Sequence, residues 1–446
     1  MTSSVLWLSQ VQFFLSLGFM LLFLVIELGL AWALLYFKIR AHGSAQAGWT
    51  AAYRFWVRVF ALAVILTLAS SMPVLIQLGG LWPSLMDKIG EVAGPLLAAA
   101  ILTTFIFRSC FLGAMLFGQR HLSDRVHTAI VLMVALGALL AAFWMVALLA
   151  WMQTPAGALL VDGRYYVADW YGVLFNPSVG WYGGLLVLTA ILTVAFLMLG
   201  VTTGHSFRRP LDESERLVFR TALLLAMAGV VLYGLVAAGT ARMVAQHQPA
   251  KAAATAGYWD SGSPPGIVVF AWPDSAKSRN RYVWEWPVAG AEWLARDARG
   301  QLRGLDQFAG MRPPVALTFW SYRIAAFVGL LMVAASWLTA WRLRKKLCDP
   351  AALPRIWRRM LCGMTFSGWA LSLAGLSHVL FGLYPYAVNE TVTLSEIAGP
   401  AAPGVVLGGL FCYVAVYALL LTGFMQMLRH VARYGVVPVT RRRGRA

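Results

Sequence analysis

Apolar residues in this chain form long uninterrupted runs rather than alternating or amphipathic patterns. A helix of about 20 residues crosses the roughly 30 Å hydrocarbon core of a membrane, and nine runs reach that length. The runs lie near residues 8–36, 57–80, 94–118, 127–151, 181–204, 217–240, 316–341, 360–385 and 404–428. The pattern predicts an all-α polytopic membrane protein with about nine transmembrane helices. The first run is too long for the apolar core of a signal peptide, so we interpret it as a retained helix.

The longest polar segment separates the sixth run from the seventh. Pro313 and Pro314 close it, and they disfavour helix before them, so the seventh helix is expected to begin after Pro314. The segment is rich in aromatic residues and proline, unlike a flexible Gly/Ser linker, which favours a folded lid. The predicted organisation is helices one to six in 1–240, the lid in 241–314, helices seven to nine in 315–430 and a basic tail in 431–446. A shorter polar segment, 153–180, is expected to form an ordered cap.

Composition agrees with the pattern, since 60% of the 446 residues are hydrophobic, 12% are charged and the mean hydropathy is +0.70. The net charge is +18, and the arginines and lysines concentrate in alternate short segments, those after the odd-numbered helices. By the positive-inside rule the amino terminus and the lid face outward and the carboxyl terminus is cytoplasmic. The basic charge therefore indicates topology and not nucleic-acid binding. The terminal arginines are a solvated end or a contact for anionic membrane lipid.

Several short motifs resemble, in order and spacing, those of subunit I of the cytochrome bd quinol oxidases. They are WMQTPAG at 151–157, FNP at 175–177, QPAK at 248–251, FAWPD at 270–274 and RPPVALTFWSYRI at 312–324, with weaker matches at 55–60 and 382–390. The resemblance implies a subunit of the bacterial cytoplasmic membrane that oxidises quinol and reduces oxygen. It also implies haems b and d and a quinol site in the outward loop. For Trp151, Gln153 and Pro155 of the first motif we predict a structural role.

The positions that match the family's haem ligands depart from its pattern. A histidine of the first helix is matched by Met20, and a histidine of the fifth helix by Leu185. A methionine of the seventh helix is matched by Ala325, a glutamate of the eighth by Leu380, and two glutamates of the third by Ala100 and Arg108. In the fourth helix, polar positions of the family's proton path are matched by Ala141 and Leu149.

Leucine and alanine have no lone pair to give to iron, so these substitutions remove haem ligands. Met20 could supply a thioether, although a methionine on an apolar helix is more often a core residue. Of the seven histidines, His378 alone sits well inside a predicted helix, where a hydrogen-bonded core histidine is the more frequent role. The other six are His247 in the lid and His42, His121, His127, His205 and His430, which fall near cytoplasmic helix ends, where a solvated or cation-supporting role is the more frequent one. Met20 and His378 are therefore weak candidates for cofactor binding, and no catalytic or metal-binding residue is predicted.

Two charges fall inside predicted helices. Glu27 and Arg108 each lie about ten residues from the cytoplasmic end of their helix, roughly 15 Å deep at 1.5 Å per residue. An unpaired charge at that depth costs several kcal/mol, and a partner removes much of the cost. We predict that Glu27 and Arg108 pair and fill part of the space that a haem occupies in the family. The alternative is that each reaches water or another partner.

The lid keeps only part of the family's quinol motif. Lys251 stands in QPAK, but the glutamate expected five residues later is Ala256, which removes a proton acceptor for quinol oxidation. A lysine in a polar loop is more often solvated than functional. Arg323 matches the family's signature arginine, yet the haem-ligating methionine is absent at Ala325. We therefore predict that Arg323 serves the structure, through hydrogen bonds to lid carbonyls or to a carboxylate.

Three hypotheses remain on sequence alone. The first is a degenerate, haem-poor structural subunit that pairs with another integral membrane protein, either a subunit II-like chain or a ligand-complete subunit I. The second is an active quinol:oxygen oxidoreductase subunit with relocated ligands such as Met20 and His378, which would bind haem b and d. The third is a module that binds quinone or lipid through the lid without redox chemistry. Haem content separates the first hypothesis from the second.

Overall fold

Nine helices of the computed structural model are apolar and long enough to span a membrane, within the residues that it describes, 3–43, 46–262, 266–286, 293–297, 299–344 and 349–434. The spans are Val5–Arg40, Gln46–Leu81, Pro83–Phe117, Asp124–Gln153, Trp170–His205, Glu213–His247, Val315–Leu343, Arg355–Phe381 and Pro403–Arg433. Each contains one of the nine predicted apolar runs or most of it. The prediction of an all-α polytopic membrane protein is confirmed.

Several spans are built from more than one helical segment, and the helices are numbered here in chain order. The first eight are α1 Ser3–Arg40, α2 Gln46–Leu81, α3 Pro83–Phe107, α4 Gly113–Phe117, α5 Asp124–Gln153, α6 Trp170–Leu174, α7 Val179–His205 and α8 Glu213–His247. The others are α9 Pro249–Ala256, α10 Val315–Leu343, α11 Arg355–Gly363, α12 Ser367–Phe381, α13 Leu394–Ile397 and α14 Pro403–Tyr434. A π-helical turn, Arg108–Leu112, joins α3 to α4.

The helices extend beyond the apolar runs that predicted them. Helix α2, for example, begins at Gln46 and not near residue 57. The apolar run marks only the part of a helix that meets hydrocarbon, whereas backbone hydrogen bonding continues into the polar region. Helix α10 begins at Val315, directly after the two prolines, as predicted.

Helix α1 lies at the centre of the bundle and contacts α2, α5, α7, α12 and α14. Small residues allow two of the closest crossings. A Cβ on Gly29 of α1 would collide with the carbonyl oxygen of Ala190 in α7, and a Cβ on Gly368 of α12 would collide with Thr193. Without a hydrophobic driving force between helices in lipid, such close packing supplies much of their association.

Three two-stranded antiparallel hairpins lie between the helices. They are β1 Ala158–Val161 with β2 Arg164–Val167, β3 Ile267–Asp274 with β4 Arg279–Trp286, and β5 Tyr386–Val388 with β6 Val392–Thr393. They gather at one end of the bundle, called the loop end below, where α5 ends. There Asn389 N donates to Met152 O (2.9 Å), and Trp7 at the start of α1 packs against Phe381 at the end of α12, with ring centroids 5.6 Å apart.

The two polar segments predicted to be ordered contain regular structure. Segment 153–180 holds the β1–β2 hairpin and α6, and the lid holds α9, the β3–β4 hairpin and a 3-10 turn at Leu305–Phe308. Helix α8 continues to His247, so the start of the lid is helical. Of the predicted basic tail, the part from residue 435 onward lies outside the described residues.

Candidate functional site

The WMQTPAG motif forms the end of α5 and the turn that follows. Pro155 disfavours helical backbone in the residue before it, and Thr154 accordingly leaves the helix at φ −142° and ψ 78°. The indole Nε1 of Trp151 donates to Ala156 O at 3.0 Å, and Trp151 is fully buried. These contacts close the turn, and they are of the kind that a structural role for Trp151 and Pro155 requires.

Gln153, the last residue of α5, joins this motif to two others at the loop end. Its Nε2 donates to Val379 O of α12 at 3.2 Å, and its backbone oxygen accepts from Gln248 Nε2 at 3.1 Å. Its Oε1 accepts from Lys251 Nζ at 3.2 Å. A fully buried amide that satisfies partners on α9 and α12 fixes how the lid sits on the bundle.

Lys251 is buried, with 2% of its surface exposed, so the expectation of a solvated lysine is wrong. The polar lid sequence concealed this position because α9 folds inward, with Pro249 in its first turn. Besides Gln153, the Nζ contacts the hydroxyl of Tyr182 at 3.4 Å. In the described part of the chain no carboxylate lies within ion-pair distance of Lys251. Burial lowers the pKa of Lys251 to about 7.

Ala256, at the end of α9, packs against a buried apolar cluster that includes Tyr258, Trp259 and Leu305. A methyl group in that environment cannot accept a proton. The quinol motif of the lid therefore presents a buried amine without the acid that stands five residues later in the family.

Arg323 binds the lid to α10 through backbone carbonyls. Its Nη1 donates to Thr255 O of α9 at 2.8 Å, its Nε to Val269 O of β3 at 3.1 Å, and its Nη2 to Val268 O. The guanidinium lies over the ring of Phe319, 3.2 Å from the centroid. The predicted hydrogen bonds to lid carbonyls are present. Ala325, two residues later, packs against the main apolar core.

His378 faces α10. Its Nδ1 lies 3.4 Å from Thr318 O, and its ring is 5.4 Å from the ring of Tyr322, centroid to centroid. This agrees with a hydrogen-bonded core histidine. Another histidine departs from expectation, because His127 is 1% exposed and its Nε2 lies 3.1 Å from Met115 O, whereas a solvated position was predicted.

Glu27 of α1 and Arg108 of the π-helical turn form the predicted pair. Arg108 Nη2 donates to Oε1 at 2.8 Å and to Oε2 at 3.0 Å. The side chains are 5% and 21% exposed respectively. The π-helical turn changes the direction in which the side chains point from Arg108 onward. Single π-helical turns inside α-helices are frequent at functional sites.

A cavity of about 330 Å³ extends from the loop end into the bundle between α1, α2, α3, α5, α7 and α12. Met20, Leu185 and Leu380, three of the positions that match haem ligands, line it together. Leu149, from the family's proton path, lines it too. The cavity is almost wholly apolar, and its polar lining residues include Gln10, Gln153 and Tyr182.

The residues around this cavity do not fit a haem held in the family's way. Leu185 and Leu380 offer no donor, and Met20 offers one thioether. Ala325, which packs against the main apolar core and does not line the cavity, offers no donor either. His378 is not among the residues that line the cavity, so it does not complete a ligand pair with Met20 there.

Sequence reasoning missed Tyr182 and the cavity. A signal for Tyr182 was available, since it is a tyrosine in an otherwise apolar helix, and buried tyrosine hydroxyls generally find a partner. The cavity had no sequence signal of its own, because its volume depends on how several helices pack.

Comparison with known proteins gives one consistent answer. The sequence model of the family "Cytochrome bd terminal oxidase subunit I" matches residues 8–436. The chain is 25% identical to cytochrome bd ubiquinol oxidase subunit 1 of Bacillus subtilis (strain 168), over 82% of this chain and 80% of that protein. It is 24% identical to cytochrome bd-II ubiquinol oxidase subunit 1 of Escherichia coli (strain K12), over 96% of both chains.

The fold is similar to that of a bd oxidase from Geobacillus thermodenitrificans, with a TM-score of 0.87 at 20% identity, over 97% of this chain and 99% of that one. The family and the nine apolar spans of the described residues together indicate a multi-pass protein of the bacterial inner membrane. The chain belongs to the cytochrome bd terminal oxidase subunit I family.

Proposed function

We propose that this chain is a haem-poor structural subunit of a bd-like respiratory complex and does not itself carry out quinol oxidation or oxygen reduction. One observation carries the proposal. Met20, Leu185 and Leu380, which match ligand positions on three different helices, converge on one apolar cavity with a single weak donor among them. The three positions lie on α1, α7 and α12, so the replacements leave the cavity without a ligand set for iron.

Two further features support the proposal. The Glu27–Arg108 ion pair satisfies the charge that replaces a family glutamate in the third span, so Arg108 has a structural partner. The lid has lost the acid expected after Lys251, although Gln153, Gln248 and Arg323 still fasten it to the bundle. The contacts that maintain the fold are retained, whereas the groups that would perform chemistry are replaced.

A chain of this kind is expected to act with another integral membrane subunit, either subunit II-like or a subunit I with its ligands intact. The relatives named above are themselves described as numbered subunits of oxidases. Helices α3, α10 and α14 are the least buried spans of the described chain, and they offer the largest apolar surfaces to lipid or to a partner. We propose that the amino terminus and the lid face outward and that the carboxyl terminus is cytoplasmic, as the distribution of arginine and lysine indicates.

The test is a pyridine haemochrome assay on the purified full chain, where less than about one haem per ten chains is expected. One or more haems per chain would overturn the proposal and favour an active subunit with relocated ligands. Met20 is the one observation that favours this second function, since its side chain already lines the cavity. Met20→Leu would then remove the bound haem.

A further inference from the structure

The cavity follows helix α1 over much of its length. On α1, lining residues recur every third or fourth position from Gln10 to Val25, so one face of the helix borders the cavity throughout. At 1.5 Å per residue this face is about 22 Å long. Such a length suits an extended hydrocarbon chain better than a compact molecule.

Water is a poor occupant of this space. A buried water needs two to four polar partners, and side chains such as Leu149, Leu185 and Leu380 provide none along most of the cavity. Packing contacts hold membrane helices together, so an apolar cavity that nothing filled would weaken the bundle. The chemistry of the lining therefore selects an apolar occupant, and the surrounding membrane is a source of such molecules.

The two amide side chains that line the cavity, Gln10 and Gln153, lie at its loop end. Gln10 is 9% exposed and lines the cavity, and its Oε1 is a buried acceptor without a hydrogen-bond partner. Gln153 and Tyr182 line the same cavity and contact Lys251. An unpaired buried amide costs free energy that a donor on a ligand would recover. A small hydroxyl-bearing head group fits this end.

We propose that this cavity binds one membrane-derived apolar chain, acyl or isoprenoid, with its polar end against Gln10 and Gln153 and its tail along α1 beside Leu185. The inference rests on the proposed function, because a haem in the same cavity would occupy the place of the chain. The chain would occupy the cavity that Met20, Leu185 and Leu380 line. The bound chain would stabilise the bundle by filling space that the side chains leave open.

The test uses the purified full chain, delipidated by detergent exchange. It is incubated separately with monopalmitin, as the acyl probe, and with geranylgeraniol, as the isoprenoid probe, then gel-filtered and extracted for mass spectrometry. We expect the unchanged protein to retain one of the probes at about one molecule per chain. Retention should fall at least about tenfold in Leu185→Trp, because the tryptophan ring fills the cavity. Leu330→Trp is the matched control, since Leu330 is 67% exposed on α10, and it should retain the probe like the unchanged protein.

Leu380→Phe is a milder filling variant that keeps the test decisive if Leu185→Trp does not fold. Gln10→Leu should also reduce retention, by about tenfold for one lost hydrogen bond. Retention of neither probe, or equal retention by all variants, would overturn the inference. If the chain contains no haem and retains no probe, the inference fails while the proposed function stands. If it contains a haem, the proposed function fails.

Discussion

Removing one member of the Glu27–Arg108 pair isolates a charge inside the membrane. With Nη2 and Oε1 2.8 Å apart, the Coulomb attraction is about 6 kcal/mol at an effective dielectric constant of about 20, before the cost of desolvation. Arg108→Leu leaves a carboxylate that is only 5% exposed, and we expect the free energy of unfolding to fall by about 3–5 kcal/mol. Glu27→Leu leaves the more exposed arginine, and the expected loss is about 2.5–3.5 kcal/mol.

The double variant Glu27→Leu/Arg108→Leu removes both charges and should lie close to the unchanged protein, because apolar side chains suit the surrounding lipid and core. Steric trapping in bicelles measures these free energies, and the double-mutant cycle gives the coupling directly. The partly exposed pair Lys88–Glu396 is the matched control, where Lys88→Met should cost about 1 kcal/mol or less. Additive losses at Glu27 and Arg108, with a coupling below about 0.5 kcal/mol, would refute the reasoning.

Three other predictions concern the lid and the helix crossings. Burial lowers the pKa of Lys251 to about 7 in the folded protein, against an ordinary value of 10.5, so the unfolded chain binds more protons between those pH values. The melting temperature should therefore rise from pH 7 to pH 10, and Lys251→Met should abolish this rise. Arg323→Ala removes three hydrogen bonds to the lid and should speed proteolysis within 241–314. Arg279→Ala, on exposed β4, is the control and should leave the cleavage rate unchanged, so equal rates for the two variants would contradict the structural role of Arg323. Gly29→Ala should destabilise the protein by about 1–3 kcal/mol, because the added methyl group meets the backbone of Ala190. Gly94→Ala, with open space around it, should have little effect, and similar melting temperatures for the two variants would argue against the close crossing of α1 and α7.

The fold was accessible from the sequence because a membrane leaves few alternatives. Each spanning segment must satisfy its own backbone hydrogen bonds, so a long apolar run predicts a helix without knowledge of its neighbours. The start of α10 at Val315 followed equally from two prolines. The contact between Glu27 and Arg108 followed from their similar depth and from the high cost of a lone charge.

The candidate site was less accessible, since it depends on contacts between distant parts of the chain. Lys251 looked solvated because its neighbours in sequence are polar or small, yet α9 turns the side chain inward onto Gln153 and Tyr182. The list of substituted ligand positions could be read from the motifs. That Met20, Leu185 and Leu380 share one cavity could not, because it requires the relative positions of α1, α7 and α12.

Haem content of the purified full chain tests the central claim most directly. Pyridine haemochrome absorbance, calibrated on a haemoprotein of known content and divided by the protein concentration from amino-acid analysis, gives haems per chain. Because Leu185, Ala325 and Leu380 offer iron no ligand, the account predicts less than about one haem per ten chains. One or more haems per chain would contradict it, whether or not the haem is lost on substitution of Met20.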